Sequence, residues 1–146
     1  MIRFKTMCAV LGVLASGVAA AQSITIRLVD GKTGKPMKNK NVTVIFCPDC
    51  FRQTVVRIEA DGSGHVNIPA GAKTATFMGG PKDGAEPGRI PYIDCNSGLP
   101  ALVDIAQILQ TGISPDNGCG KAHHTSRPGE IVFWAHSLPW WQPDFQ

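Results

Sequence analysis

Apolar residues recur at every second position in two stretches of the N-terminal half of the chain, residues 24–28 and 42–46. A period of two is typical of half-buried strands, because successive side chains of a strand point to opposite faces of its sheet. Asp61-Gly62 begins a reversal between two further runs of this kind, and both residue types tolerate the positive φ angles of a tight turn. The pattern therefore predicts consecutive hairpins.

The same pattern extends to most of the chain. Strands are predicted at residues 23–30, 41–47, 53–60, 64–69, 73–78, 89–94 and 130–135. Because most of them follow one another in hairpin-like order, we expect the sheets to be largely antiparallel. The predicted fold is mainly β, an antiparallel β-sandwich.

One helical insertion interrupts the strands. Across residues 99–112, apolar residues such as Leu102 and Ile105 recur at helical spacing. Pro100 suits a first helical turn, and Gly112 suits the position just past the last turn. The sequence therefore predicts one short helix in this segment.

Residues 1–21 are predicted to be a secretory signal peptide. Arg3 and Lys5 give a positive start, an apolar run follows, and three alanines precede a cleavage site before Gln22. An uncleaved membrane anchor is the alternative, but the apolar run is short for a membrane span. We expect residues 22–146 to form a single domain that is secreted or periplasmic, with no stable membrane span after cleavage.

The charge balance bears on the choice of partner. The formal net charge of the full chain is +3, but Arg3 and Lys5 belong to the predicted signal peptide, so the exported chain is close to neutral. The sequence has no run of interleaved basic and aromatic residues. Nucleic acid is therefore not expected as a partner.

Four cysteines remain after the predicted cleavage, Cys47, Cys50, Cys95 and Cys119. An even number in an exported chain favours disulfides, and four cysteines allow three connectivities. We favour Cys95–Cys119, which would close the helical insertion, together with Cys47–Cys50. Zinc bound by four thiolates is disfavoured, because Cys95 and Cys119 lack the close spacing of a zinc knuckle.

Cys47-Pro48-Asp49-Cys50 also has the spacing of a thiol–disulfide exchange motif. That chemistry requires a stabilised thiolate, which is usually found at a helix N-terminus. The residues after Cys50 alternate and are rich in β-branched types, so they predict a strand instead of a helix. A bridge that locks a turn is the favoured interpretation, and redox catalysis stays an alternative.

Two adjacent histidines, His123 and His124, could suggest a metal site. Neighbouring side chains on an extended chain point to opposite faces, and no ligand set brackets the pair closely. We therefore expect a solvated loop, and neither a metal nor a cofactor is predicted.

The tryptophans lie near the C-terminus. Trp134 is in the last predicted strand and is expected in the core. Trp140 and Trp141, flanked by Pro139 and Pro143, cannot both face inward on an extended chain. Either both pack across the sandwich, or one of them contacts an envelope or extracellular protein or a glycan. They are the candidate partner-contact residues.

The turns of the first half carry a resemblance to a known family. The positions concerned are Asp30, Thr33, Gly34, Pro36, Val42, Val44, Asp61 and Gly64. Their pattern resembles the carboxypeptidase regulatory-like domain, a member of the transthyretin-like (prealbumin-like) β-sandwich group. The latter half departs from that domain and is similar to small exported bacterial proteins that end in a paired-tryptophan tail.

What the resemblance implies is a transthyretin-like sandwich with a structural, adhesive or binding role. The group also has a hydrolase branch acting on 5-hydroxyisourate, recognised by a C-terminal Tyr-Arg-Gly-Ser, whereas residues 143–146 here read Pro-Asp-Phe-Gln. We therefore expect an exported, non-catalytic binding or structural module. The alternatives are a thiol–disulfide oxidoreductase using Cys47 and Cys50, or a divergent transthyretin-like hydrolase.

Overall fold

A computed structural model describes residues 22–79 and 92–138 of the chain. The predicted signal peptide and the candidate contact residues Trp140 and Trp141 lie outside the described residues. The predictions made for them therefore stay predictions.

The described chain is built mainly from strands. In order, the elements are β1 Ser23–Asp30, β2 Asn41–Cys47, β3 Gln53–Arg57, β4 Ser63–Asn67, β5 Thr74–Gly79, β6 Tyr92–Asp94, β7 Asn96–Ser97, β8 Val103–Asp104, α1 Ile105–Thr111, β9 Asp116–Asn117 and β10 Glu130–Ser137. Each predicted strand has a counterpart among the described residues, with small differences at the ends, and residues 89–91 of the strand predicted at 89–94 lie outside the described residues. β3 stops at Arg57 instead of residue 60, because Glu59 already turns back to donate its backbone N–H to Ser63 O at 2.8 Å.

Two four-stranded sheets face each other. The first sheet has the order β4-β1-β10-β6, the second has the order β3-β2-β5-β8, and β7 and β9 form a small separate ladder. The inward side chains of both sheets make one apolar core, which includes Ile24, Ile26, Leu28, Val42, Val44, Phe46, Phe77, Ile131 and Phe133. The predicted fold class, a mainly β sandwich with one short helix, is confirmed.

One pair of strands departs from the antiparallel pattern. β1 and β10 run parallel, with Leu28 opposite Phe133, while the other ladders between the named strands are antiparallel. A two-residue hairpin can join only antiparallel neighbours, whereas a long connection leaves the direction free. β10 reaches the first sheet after such a connection, through α1 and β9.

The helix is shorter than predicted. It starts at Ile105, not near Pro100, because Asp104 is its N-cap and accepts a hydrogen bond from Ala106 N at 2.8 Å. Val103, just before it, is buried and pairs with Ala75 in the second sheet. Gly112 ends the helix with φ 74°, as predicted. A side chain at that position would also clash with the Arg127 carbonyl.

The outer face of the first sheet is covered by a further layer of chain. Cys95, Cys119 and Ala122 pack there on Val29, Val132 and Trp134, and these six residues are called the outer layer below. Trp134 is buried, as predicted, but in this layer and not in the central core. Its indole Nε1–H donates to Pro115 O at 2.8 Å.

Candidate functional site

The cysteines pair as Cys47–Cys50 and Cys95–Cys119, which is the connectivity that the sequence favoured. The Cα atoms of the pairs are 4.4 and 5.4 Å apart. Two disulfides favour an oxidising, extracytoplasmic environment, since thiols stay reduced in the cytosol.

The Cys95–Cys119 bridge lies inside the outer layer and closes the chain around α1. Cys95 is 4% exposed. The loop beside Cys119 is fixed by the side chain of Asn117, whose amide donates to Gly31 O at 2.7 Å and to Ala122 O at 3.1 Å. The side-chain Oδ1 of Asn117 accepts a hydrogen bond from Cys119 N at 3.0 Å. The bridge therefore holds a layer that is also fastened by hydrogen bonds.

The Cys47–Cys50 bridge closes an exposed turn between β2 and β3. Cys47 is the last residue of β2 and is 9% exposed, while Cys50 is exposed. Cys50 has a φ of +40°, a conformation that non-glycine residues seldom adopt, and its N–H donates to Phe46 O at 3.1 Å. The turn is thus held by one covalent bond and one hydrogen bond.

Phe51 follows this turn and is 95% exposed. Val55, on β3, is 61% exposed. A depression of about 260 Å³ lies beside the turn, and its lining includes Pro48, Arg52 and Pro69. Phe51 is not among the contact residues predicted from the sequence. The signal that could have identified it is its position in the alternation of β3. In that strand Val56 is buried and residues 53, 55 and 57 are exposed, and Phe51 lies two residues before Gln53.

The surroundings of the Cys47–Cys50 pair bear on the redox alternative. The element that follows Cys50 is the strand β3, not a helix whose N-terminus could stabilise a thiolate. The first cysteine of the motif, Cys47, is the buried one. Both features fit a bridge that locks a turn.

A buried carboxylate gives His124 a partner. Glu130, at the start of β10, lies under the loop that carries His124, with only 7% of its side chain exposed. Its Oε1 lies 3.0 Å from His124 Nε2, and its Oε2 accepts from Arg27 Nε at 3.2 Å. His124 lies in a loop, as predicted, with 33% of its side chain exposed, and it also contacts this buried carboxylate, which needs polar partners. His123 is exposed, as expected.

A second histidine–carboxylate pair joins β10 to the end of β1. His136 Nδ1 lies 3.1 Å from Asp30 Oδ2, and Asp30 Oδ1 accepts from the backbone N–H groups of Lys32 and Thr33. Burial acts to raise the pKa of Asp30. The hydrogen bonds from Thr33, His136 and Lys32 together outweigh it and hold this pKa below its ordinary value.

A groove of about 400 Å³ lies over the outer layer, between Ser114 and Asp116 on one side and His123, His124 and Thr125 on the other. Trp134 forms part of its lining but is only 1% exposed, so its ring offers no face for stacking. Within residues 22–79 and 92–138, no three His, Cys, Asp or Glu side chains are grouped so that they could hold a metal ion.

No family model, curated protein or solved structure matches this chain. The resemblance to the carboxypeptidase regulatory-like domain therefore stays a prediction from the turn motifs. In the part of the chain that the structure describes, no helix is long and apolar enough to cross a membrane.

Proposed function

We propose that this chain is an exported, non-catalytic β-sandwich module, of the carboxypeptidase regulatory-like kind, that binds a partner protein in the periplasm or outside the cell. The observation that supports this proposal is the disulfide-closed turn that presents Phe51. An aromatic side chain that is 95% exposed contributes nothing to the core of its own domain. Its large apolar surface is available to a partner.

The bridge beside Phe51 makes such binding easier. A flexible loop loses conformational entropy when a partner orders it, and a loop that is already fixed avoids most of that loss. Cys47–Cys50 fixes the turn that precedes Phe51, and β3 begins two residues after it. Burial of one Phe ring on a partner is worth roughly 2 kcal/mol. A rigid aromatic of this kind is a common anchor of interfaces.

Site-specific photo-crosslinking tests the proposal. A benzophenone amino acid replaces Phe51 in one variant and Leu102, which is 54% exposed beside β8, in the control. Each variant is expressed in its native envelope. We expect one discrete crosslinked product at position 51 and none at position 102. Excess wild-type protein should suppress the product, and excess Phe51→Ser protein should not. Equal labelling at both positions would refute the proposal.

The competing function is thiol–disulfide exchange by the same turn, which the exposure of Cys50 allows. A reduction-potential titration of the Cys47–Cys50 pair separates the two functions. A potential far below the poise of the compartment means a structural bridge, and a potential near that poise would favour the oxidoreductase.

Trp140 and Trp141 remain candidate contact residues of the same module. Replacing both by alanine should weaken partner binding with little change in Tm if they contact the partner. A large fall in Tm with unchanged binding would mean that they pack on their own domain.

A further inference from the structure

Within residues 22–79 and 92–138, the strand β3 is the edge of the second sheet and pairs only with β2. Among the described residues, Gln53–Arg57 take part in no backbone hydrogen bond outside that ladder. An edge of this kind presents unpaired N–H and C=O groups that can pair with another chain.

The register shows which groups are unpaired. Ile58 directs both backbone groups towards the chain that leads into β2, because its N–H donates to Lys40 O at 2.8 Å and its O accepts from Asn39 N at 3.2 Å. Bonded and non-bonded pairs alternate along an antiparallel ladder. Val56 and Thr54 therefore bond to β2, while Gln53 and Val55 direct their backbone groups away from it. β2 agrees with this alternation, because Cys47 O accepts from Lys73 N on the side of β5.

The accessible part of this edge lies towards the disulfide turn. At the other end of β3, Gly64 of β4 closely approaches the carbonyl oxygen of Arg57. At the near end, the side chains of Gln53 and Val55 are exposed, and Phe51 lies just before them. Phe51, Gln53 and Val55 together are called the β3 edge.

Two basic residues lie within the segment that forms the β3 edge. The charged residues of 51–58 are Arg52 and Arg57, while the exposed acidic residues Asp49 and Glu59 lie beyond its two ends. Both arginine side chains are exposed. A strand that pairs here meets two positive charges. Opposite charges across a strand pair are favourable, and like charges are unfavourable.

We propose that the β3 edge binds an extended, acidic segment of a partner protein by adding it as a further strand of the second sheet. The inference rests on the proposed binding function and specifies the shape and charge of the partner. Main-chain hydrogen bonds at Gln53 and Val55 supply affinity, as in other cases of strand addition. Arg52 and Arg57 select acidic side chains. A second copy of this chain is disfavoured, because it would bring two more arginines to the same edge.

Two synthetic peptides test the charge and the position. Both have eight residues of alternating Val and Thr, with glutamates at two positions in one peptide and lysines at the same positions in the other. Each is titrated into the ¹⁵N-labelled chain without its signal. We expect the acidic peptide to slow hydrogen exchange at the amides of Gln53 and Val55, and to bind about fivefold more tightly at low salt. Equal affinities, no binding, or changes confined to other amides would overturn the proposal.

Proline substitution tests the main-chain bonds. Val55→Pro and Gln53→Pro each remove an outward N–H and leave the ladder with β2 intact. Either variant should lose binding of the acidic peptide, while Val55→Thr, which keeps the N–H, should retain it. Thr54→Pro removes a ladder bond and should lower Tm instead. A folded Val55→Pro or Gln53→Pro variant that binds as well as wild type would refute strand addition.

The outcomes for the two proposals are separable. Specific crosslinking at position 51 would support the binding function. If the proline variants nevertheless still bound the acidic peptide, the binding function would stand and strand addition would be overturned. Sedimentation tests the other occupant. A concentration-dependent dimer that protects the same two amides would assign the β3 edge to a second copy and overturn the acidic partner.

Discussion

The two disulfides lie in regions of opposite character. Cys95–Cys119 lies within the outer layer, where Trp134 is buried and the surrounding chain is fastened by side-chain hydrogen bonds. Cys47–Cys50 closes a turn at the surface, where Phe51 is 95% exposed. The first bridge lies among buried apolar residues, and the second lies beside an exposed aromatic side chain. Under the proposed binding function, the second bridge serves mainly to fix the turn that presents Phe51.

The largest difference between the two regions is expected for their aromatic residues. Trp134→Ala should lower the free energy of unfolding by about 3–5 kcal/mol, because it leaves a cavity in the outer layer. Phe51→Ala should change it by no more than about 0.5 kcal/mol, because the side chain is exposed. Urea unfolding of both variants measures the contrast. A loss of more than about 2 kcal/mol for Phe51→Ala would show that Phe51 packs on its own domain.

The disulfides themselves give the next effect. Replacing Cys95 and Cys119 by serine should cost about 3.5 kcal/mol, as expected for a loop closed by residues 24 positions apart. The matched Cys47→Ser, Cys50→Ser variant removes a bridge that closes a loop of only 3 positions, and it should cost about 2 kcal/mol or less. Urea unfolding with peptide mapping checks both. The reverse order would contradict the structural role assigned to the first bridge.

The sequence was informative where the determinants of structure are local. Alternation predicted strands near residues 23–30 and 41–47, where β1 and β2 lie, because a strand's side chains follow a period of two. Gly112 was correctly placed at the helix end, since its φ of 74° favours glycine. The position of the cysteines around the predicted helix also favoured the observed pairs.

What the sequence did not show depends on contacts between distant residues. The amide of Asn117 meets Gly31 O across 86 positions, and Arg27 meets Glu130 across 103. No local pattern signals that such pairs will meet. The parallel pairing of β1 with β10 and the burial of Trp134 in the outer layer escaped prediction for the same reason. Phe51 was missed because an apolar residue near a strand is usually assigned to the core.

A smaller effect is expected at the buried carboxylate beside the outer layer. Glu130→Gln should lower the free energy of unfolding by about 1.5–3 kcal/mol, because it removes the charge that Arg27 and His124 bind. Asp49→Asn, which changes an exposed carboxylate of the disulfide turn, is the matched control and should have almost no effect. Thermal unfolding near neutral pH compares the variants. Equal losses of stability for Glu130→Gln and Asp49→Asn would contradict the stabilising role assigned to the charge of Glu130.

The smallest predicted effect is the change in stability that Asp30 causes at acidic pH. The pKa of Asp30 is held below its ordinary value, so the folded state favours its ionised form. Stability from this group is present above the unfolded-state pKa, about 4, and is lost as the pH falls through the lower folded-state pKa. Asp30→Asn should therefore be less stable than wild type at neutral pH and approach it under acid.

Asp30 precedes Gly31, whose backbone O accepts a hydrogen bond from the side chain of Asn117, in the loop next to the outer layer. Protonation of Asp30 should therefore destabilise the outer layer first. As the pH is lowered, protection from hydrogen exchange, measured relative to the unfolded chain at each pH, should fall around Cys95 and Cys119 of the wild-type protein before it falls around Cys47 and Cys50. Asp104→Asn, at the helix N-cap, is the control for a carboxylate remote from that contact. If the turn opened first in acid, the outer layer would not be the region that depends on Asp30.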